Sequence, residues 1–159
     1  MIYFANALIK FTRLGMISRN ILDNFNKKFD VVSVFIEHDG EILLLHRQDH
    51  KPQGNTWAMP AGKVDNGEDL IDALSREVEE EIGLKTDLRE YKYIEGYYVR
   101  HSGYDLIYHT YHMKVPEKPK LNLNLNEHKD FVWIKPKEAL NLNLIEDEDM
   151  CIKWFYNIG

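Results

Sequence analysis

The chain lacks a second cysteine. Cys151 stands alone, which excludes an internal disulfide and any multi-cysteine zinc site. Flanked by Met150, Ile152 and Trp154, it reads as a buried core thiol, and the composition suits a reducing cytoplasm. Positive charge is also short: 20 Lys and Arg against 26 Asp and Glu leave a net charge of −6. That balance argues against a broad electrostatic footprint for duplex nucleic acid. No apolar run approaches the roughly 20 residues of a membrane-spanning helix. The most apolar stretch, Met1 to Leu14, contains Lys10 and Arg13, and it lacks the basic start and small-residue cleavage site of a signal peptide. No internal repeat is present. Residues 1–28 are expected to form a helical arm that packs on the domain or on a second copy of the chain, as a homodimer, with a polar hinge at Asp23 to Lys28.

What is present fits one domain over residues 29–159, long enough for a single substantial core. Val31 to Ile36 and Ile42 to Leu45 flank Asp39-Gly40, a strong hairpin signal. His46 to Asn55 reads as a loop, and Trp57 to Pro60 leads to a turn at Ala61-Gly62-Lys63. Asp69 to Ile82 has helical periodicity and stops at Gly83, a left-handed cap. Tyr91 to Tyr98 and Leu106 to Val115 form a second strand pair around Ser102-Gly103. Phe131 to Ile134 is a further strand, and Asp147 to Tyr156 a closing helix. Alternating Leu121 to Asn126 has strand period but turn composition, and is read as an edge segment or ordered loop without chemistry. Strands on both sides of a central helix predict a mixed α/β sandwich.

The central helix carries acid where core belongs. On a wheel of about 100° per residue with Glu77 at zero, Leu70, Ala73, Leu74 and Val78 form the inward stripe. Glu81 falls near 40° and Glu80 near −60°, continuing that stripe, whereas Glu79 falls near 200° with Asp72 and Ser75. Like charges four residues apart repel, and acid in a last turn opposes the helix dipole. A solvated charge run is one reading. Inward carboxylates matched by cations are the other, and oxygen ligands of this kind are what magnesium and manganese prefer.

From Gly62 to Leu84 the chain reads G-KVDNG-E-DLIDALS-R-E-V-E-E-E-I-G-L. This resembles the Nudix (MutT-like) box, G-x5-E-x7-R-E-U-x-E-E-x-G-U with U aliphatic, at all nine specified positions. Trp57 to Lys63, and Glu127 followed by Trp133, resemble the family's flanks, although Ala61 stands where many members have glycine. The resemblance implies an α/β/α sandwich with a mixed β-sheet and a metal-dependent hydrolase acting on phosphorus-containing anhydrides. By it, Glu77, Glu80 and Glu81 would be catalytic and bind Mg2+, with Mn2+ able to substitute, and the Gly62 carbonyl would add a ligand. Glu68 and Arg76 would brace loop and helix. Glu127 would be a further ligand or general base, and the choice of base between Glu77 and Glu127 stays open.

The substrate implied is a small nucleotide, a (d)NTP or oxidised (d)NTP first. ADP-ribose, dinucleoside polyphosphates, nucleotide sugars and a non-catalytic nucleotide-binding module remain alternatives. No proline occurs between Leu84 and Val115, which disfavours the ADP-ribose type. Arg47 and Lys63 are candidate phosphate contacts, and each is equally a surface charge. Tyr97, Tyr98, Tyr104 and Tyr108 surround the second hairpin, where most serve strand packing, and Tyr98 is the candidate base-stacking ring. Asp149, or Asp147, at the start of the closing helix is a candidate for the base edge, where acid also caps a helix well.

Overall fold

The computed structural model describes residues 9–11 and 15–159. In chain order the strands are β1 (Ile9–Phe11), β2 (Gly15–Ser18), β3 (Lys27–His38), β4 (Glu41–Arg47), β5 (Trp57–Ala58) and β6 (Ala61–Lys63). Helix α1 (Leu70–Ile82) follows, then β7 (Lys92–His101), β8 (Tyr104–Lys114), β9 (His128–Ile134), α2 (Pro136–Ala139) and α3 (Glu148–Tyr156). Among the described residues the strands make one sheet in the order β1-β2-β7-β8-β3-β4-β5, with β6 paired to β3 and β9 to β4. Strands β3 and β8 run parallel and the other neighbours antiparallel, so the sheet is mixed. The Asp39-Gly40 turn takes positive φ at both residues, 47° and 78°, the primed geometry that matches strand twist.

Both faces of the sheet are covered, which is why its central strands are continuously apolar rather than alternating. Val32, Val34, Ile36, Leu43 and Leu45 pack on Ala73, Leu74, Val78 and Ile82 of α1. Their neighbours Phe35, Ile42 and Leu44 point the other way, into a second core with Cys151 and Ile152 of α3. The result is the α/β/α sandwich, with Cys151 a core thiol at 1% exposure. No helix among the described residues is long and apolar enough to cross a membrane.

The N-terminal segment differs from expectation. Ile9–Phe11 and Gly15–Ser18 are strands that extend the sheet beyond β7, and no helix occurs among the described residues of 1–28. The rest of the expected helical arm, residues 1–8 and 12–14, lies outside the described residues. Ile17 explains the strand at Gly15–Ser18: it is 1% exposed and enters the α3-side core, so tertiary packing decides the local structure.

Strand β3 changes partner along one edge. Val31–Ser33 pair with β6, and Glu37–His38 pair with β4. Strand β6 then passes directly into the loop that starts α1. At the other end of α1 the segment 121–126 is an ordered loop with two jobs. Leu121 and Leu123 pack on the α1-side core. Between them and beyond, the Asn122 and Asn124 N–H groups donate to the carbonyls of Ile82 and Glu81, both at 2.9 Å. These are orphan carbonyls of the last helical turn. Leucine faces in and asparagine backbone caps the helix, which accounts for a period of two without a strand.

Gly83 closes α1 at φ 69°, donating its N–H to the Glu79 carbonyl at 2.9 Å. A Cβ there would lie 2.9 Å from Asn122 Cβ. Gly83→Ala is therefore expected to destabilise the fold by about 1–2 kcal/mol or slightly more. In a domain of this size that lowers the thermal midpoint by roughly 2–8 °C. Circular dichroism melting checks it; an unchanged midpoint would mean the left-handed cap carries no strain.

Candidate active site

The junction of β6, α1 and the Asn-rich loop opens on a cavity of about 310 Å³. Gly62, Lys63, Arg47, Glu81 and His128 line one part of it. Ile17, Val99, Leu106, Tyr108 and Cys151 form an apolar wall, and Glu146 to Glu148 line the region at the start of α3. One side of the cavity is charged and the other apolar, the composition of a small-molecule site.

Of the glutamates on α1, Glu81 lines this cavity, and it is 8% exposed. Its Oε2 accepts from the Ala61 N–H at 3.2 Å, and its Oε1 lies 3.4 Å from His128 Nε2. Burial pushes its pKa up, against the pull of His128 and the Ala61 amide. Glu77 is raised as well, by desolvation first, with Arg76 opposing and the charges of Glu81 and Glu80 reinforcing. Glu77 presses against the backbone at Gly62, where a Cβ would fall 1.9 Å from its carboxyl carbon. Glycine is needed there for close approach rather than for a special φ.

Arg76 ties the motif together. Its Nε and Nη2 donate to the two oxygens of Glu68 at 2.8 and 2.9 Å, and Nη2 also reaches the Lys63 carbonyl at 3.1 Å. Its Nη1 donates to Glu77 at 2.7 Å and lies 3.4 Å from Glu80. Glu68, so paired and also accepting from the Asp65 N–H, has its pKa lowered to about 2. The guanidinium thus joins loop 63–68 to the helix, the bracing role expected of Glu68 and Arg76.

Among the described residues no three acidic, imidazole or thiol side chains converge closely enough to chelate one ion as they stand. Arg76 holds Glu77 and Glu80. The donor set nevertheless suits a hard divalent cation. Two inward carboxylates carry raised proton affinities, a backbone segment lies flush against one of them, and the side-chain donors are oxygen. A cation there would relieve the charge that burial penalises. Glu81, Glu77 and Glu80, with the Gly62 carbonyl, could hold such a cation.

The NUDIX domain pattern matches residues 27–155. The chain belongs to the Nudix family. It is 36% identical over 118 residues to the CTP pyrophosphohydrolase of Escherichia coli (strain K12), covering 74% of this chain and 84% of that protein. The solution structure of the E. coli ORF135 protein superposes with a TM-score of 0.69 at 30% identity, covering 87% of this chain and 94% of that one. A MutT Nudix hydrolase from Burkholderia pseudomallei shares the fold, with a TM-score of 0.68 at 22% identity over 79% of this chain and 95% of that one. The chain is therefore a Nudix hydrolase of MutT-like architecture.

Against that family frame, the structure places the expected residues unevenly. Arg47, Lys63, Gly62 and Glu81 share the cavity. Arg47 Nε donates to the Pro52 carbonyl and Lys63 lies over the Phe29 ring. Among the described residues neither forms an ion pair, so both keep positive charge for an anion. Glu127 sits on the adjoining loop outside the cavity wall, paired with Lys51 at 2.8 Å and held below the usual carboxylate range by it. Glu80 is a correction to the wheel: at the margin of the inward stripe, its side chain is 56% exposed. Glu79 faces solvent as expected, near Lys85.

Tyr98 and Asp149 do not line the cavity. Strand alternation sends Tyr97 and Val99 to the cavity side, so Tyr98 points to the opposite face and meets Phe25 edge-on at 5.1 Å. Asp149 is rotated one helical step past Glu148 and accepts from Lys153 at 3.3 Å. In their place stand Tyr108, one of the tyrosines around the second hairpin, and Glu148, which was not a sequence candidate, with His128 beside Glu81. The signals were present but weak: Tyr108 pairs across the strands from Tyr97, and Glu148 is the first residue of the closing helix. Glu148 is 2% exposed, accepts from the Met59 N–H at 3.0 Å, and has its pKa pushed up to about 8 by desolvation.

Two consequences can be measured. Gly62→Ala forces the Glu77 carboxylate aside while leaving the core intact, so activity should fall on the order of 10–100-fold with little change in melting temperature. Full activity would show that Glu77 need not occupy this place. Glu148 binds its proton more tightly folded, near pH 8, than unfolded, near the ordinary 4.5. Its stabilising contribution is complete below the unfolded value and is lost as pH rises through the window to about 8. Glu148→Gln should flatten that decline and stabilise the protein at pH 8, measured by urea unfolding across the window. An unaltered pH profile would mean that Glu148 ionises normally.

Proposed function

We propose that this Nudix hydrolase is a Mg2+- or Mn2+-dependent pyrophosphohydrolase that cleaves a phosphoanhydride of a nucleoside triphosphate, with a cytosine nucleotide the foremost substrate. One observation carries the reading: a buried carboxylate, Glu81, shares a single cavity with two unpaired cations, Arg47 and Lys63, and with an apolar wall. Glu81, Glu77 and the Gly62 carbonyl would hold the cation, with Glu80 completing the set. When bound, the cation supplies charge neutralisation at the phosphoryl oxygens and activation of water.

The protein's own groups do the remainder. Arg47 and Lys63 bind and orient the phosphate chain, whose charge the acidic protein would otherwise repel. Arg76 keeps loop and helix in register so that the carboxylates stay aimed. Glu77 and Glu127 are the carboxylates that could accept the proton of the attacking water: Glu77 is engaged by Arg76 and pressed against Gly62, and Glu127, on a separate loop, is engaged by Lys51.

The base end supports a pyrimidine with a ring-nitrogen acceptor. Tyr108 offers an aromatic surface in the apolar wall. Glu148 Oε1 is occupied by the Met59 N–H. A carboxyl that stays neutral near pH 7 therefore presents its O–H from the other oxygen. Cytosine N3 accepts such a hydrogen bond, whereas guanine presents an N–H at the equivalent edge. The relative that acts on CTP by name, 36% identical, supports the same choice.

A panel with Mg2+ tests the reading: ordinary and oxidised (d)NTPs, ADP-ribose, dinucleoside polyphosphates and nucleotide sugars, with products separated chromatographically. CTP or dCTP should give the highest kcat/KM, yielding the monophosphate and pyrophosphate. Glu81→Gln should lower turnover by more than about 100-fold, beyond the loss typical of an outer partner of a metal ligand. Full turnover by that variant rejects the cation assignment. Tight binding without turnover of any compound rejects the enzyme in favour of a nucleotide-binding module.

A further inference from the structure

His128 is the most deeply buried polar group at the charged end of the cavity, at 2% exposure. Neither ring nitrogen has a hydrogen-bond partner at ordinary distance among the described residues, a costly arrangement for a buried imidazole. Its surroundings are not those of a core histidine. Across the strand pair it faces Arg47, and its Nε2 lies 3.4 Å from Glu81 Oε1.

The backbone explains why the two side chains meet. Asn124 N–H donates to the Glu81 carbonyl, and the Asn124 carbonyl accepts from the His128 N–H, both at 2.9 Å. Residue 124 therefore bridges the two backbones, and the imidazole returns to the Glu81 side chain from the other direction. The circuit is closed by one weak link, Nε2 to Oε1.

We propose that His128 is a positioning residue for Glu81, donating from Nε2–H to Oε1 while the Ala61 N–H holds Oε2, so that the carboxylate is fixed for its ligand in the cavity. This rests on the reading of Glu81 as a cation ligand. Outer partners of this kind fix ligand orientation, and their loss costs on the order of 10–100-fold in metal affinity or activity. The role differs from that of Arg76, which neutralises Glu77 and Glu80 from outside the cavity. His128 is neither a catalytic residue nor a ligand in this proposal; it acts through Glu81.

The test compares His128→Leu, which removes the donor, with His128→Gln, whose amide nitrogen can restore it. Mn2+ binding to the full chain without nucleotide is measured by electron paramagnetic resonance, beside nucleotide kinetics and melting temperature. His128→Leu should weaken Mn2+ about 10–100-fold and lower kcat while changing KM little. His128→Gln should recover most of both. In a Glu81→Gln background, His128→Leu should have no further effect. Wild-type Mn2+ affinity in His128→Leu, no recovery in a folded His128→Gln, or a full additional loss on top of Glu81→Gln would each overturn the proposal. If His128→Leu does not fold, imidazole nitrogen resonances of the wild-type chain decide: a proton on Nε2 supports the donor role and one on Nδ1 alone refutes it. Unchanged Mn2+ affinity in Glu81→Gln alone would reject the cation reading, a result separable from the imidazole spectrum.

Discussion

Helix α1 must serve two incompatible demands with one inward edge. Ala73, Leu74, Val78 and Ile82 are fully buried on it and join the sheet to the helix. Glu81 lies on the same edge, one residue from Ile82, and is nearly as buried. A carboxylate so placed loses hydration that no salt bridge at full strength replaces, and its raised proton affinity is the signature of that loss. Much of the surrounding architecture exists to make this tolerable. Strand β6 brings the Ala61 N–H to one oxygen, loop 121–126 pins the backbone at Glu81, and His128 approaches the second oxygen. Gly62 makes room for Glu77 by lacking a side chain.

Arg76 solves the neighbouring problem by a different route. Glu68, Glu77 and Glu80 crowd one stretch of helix and loop, and a planar guanidinium with several fixed donors can engage all three together with the Lys63 carbonyl. Lysine, a single point charge, could not hold Glu68 through both oxygens while also reaching Glu77. The two devices divide the motif cleanly. Glu68, Glu77 and Glu80 are balanced by arginine, and Glu81 is balanced only by an amide and a long imidazole contact.

The helix and its left-handed cap at Gly83 were legible because their logic is local, within spacings of three and four residues, whereas the roles of Glu68 and Arg76 came from the family resemblance. The sandwich was legible from strands on both sides of a central helix. Tyr98 was misjudged for a reason of register: which member of the pair Tyr97 and Tyr98 faces the cavity depends on strand pairing, and a shift of one residue reverses it. Asp149 failed likewise, since a helix's rotation about its axis is set by what it packs on. The strand at Gly15–Ser18 depends on Ile17 finding a distant core. His128 carried only the faint signal of lying beside Glu127, and its burial follows from a loop whose capping of α1 no local pattern reveals.

Acidic groups away from the cavity show that burial alone does not mark a functional site. Glu37 is also shielded, yet it accepts from Tyr156 at 2.9 Å and meets His112 Nε2 at 2.8 Å, and it ties α3 to the sheet. Asp105 is 6% exposed but is paired through both oxygens with Arg100, which lowers its pKa. Around the cavity the pattern reverses: Glu77, Glu81 and Glu148 are all shifted toward the neutral form. Glu81 and Glu148 line the cavity without an arginine partner, and Glu77 beside it stays raised even with one. Retaining such groups at one place, at a cost in stability, is the arrangement of a site completed by what it binds.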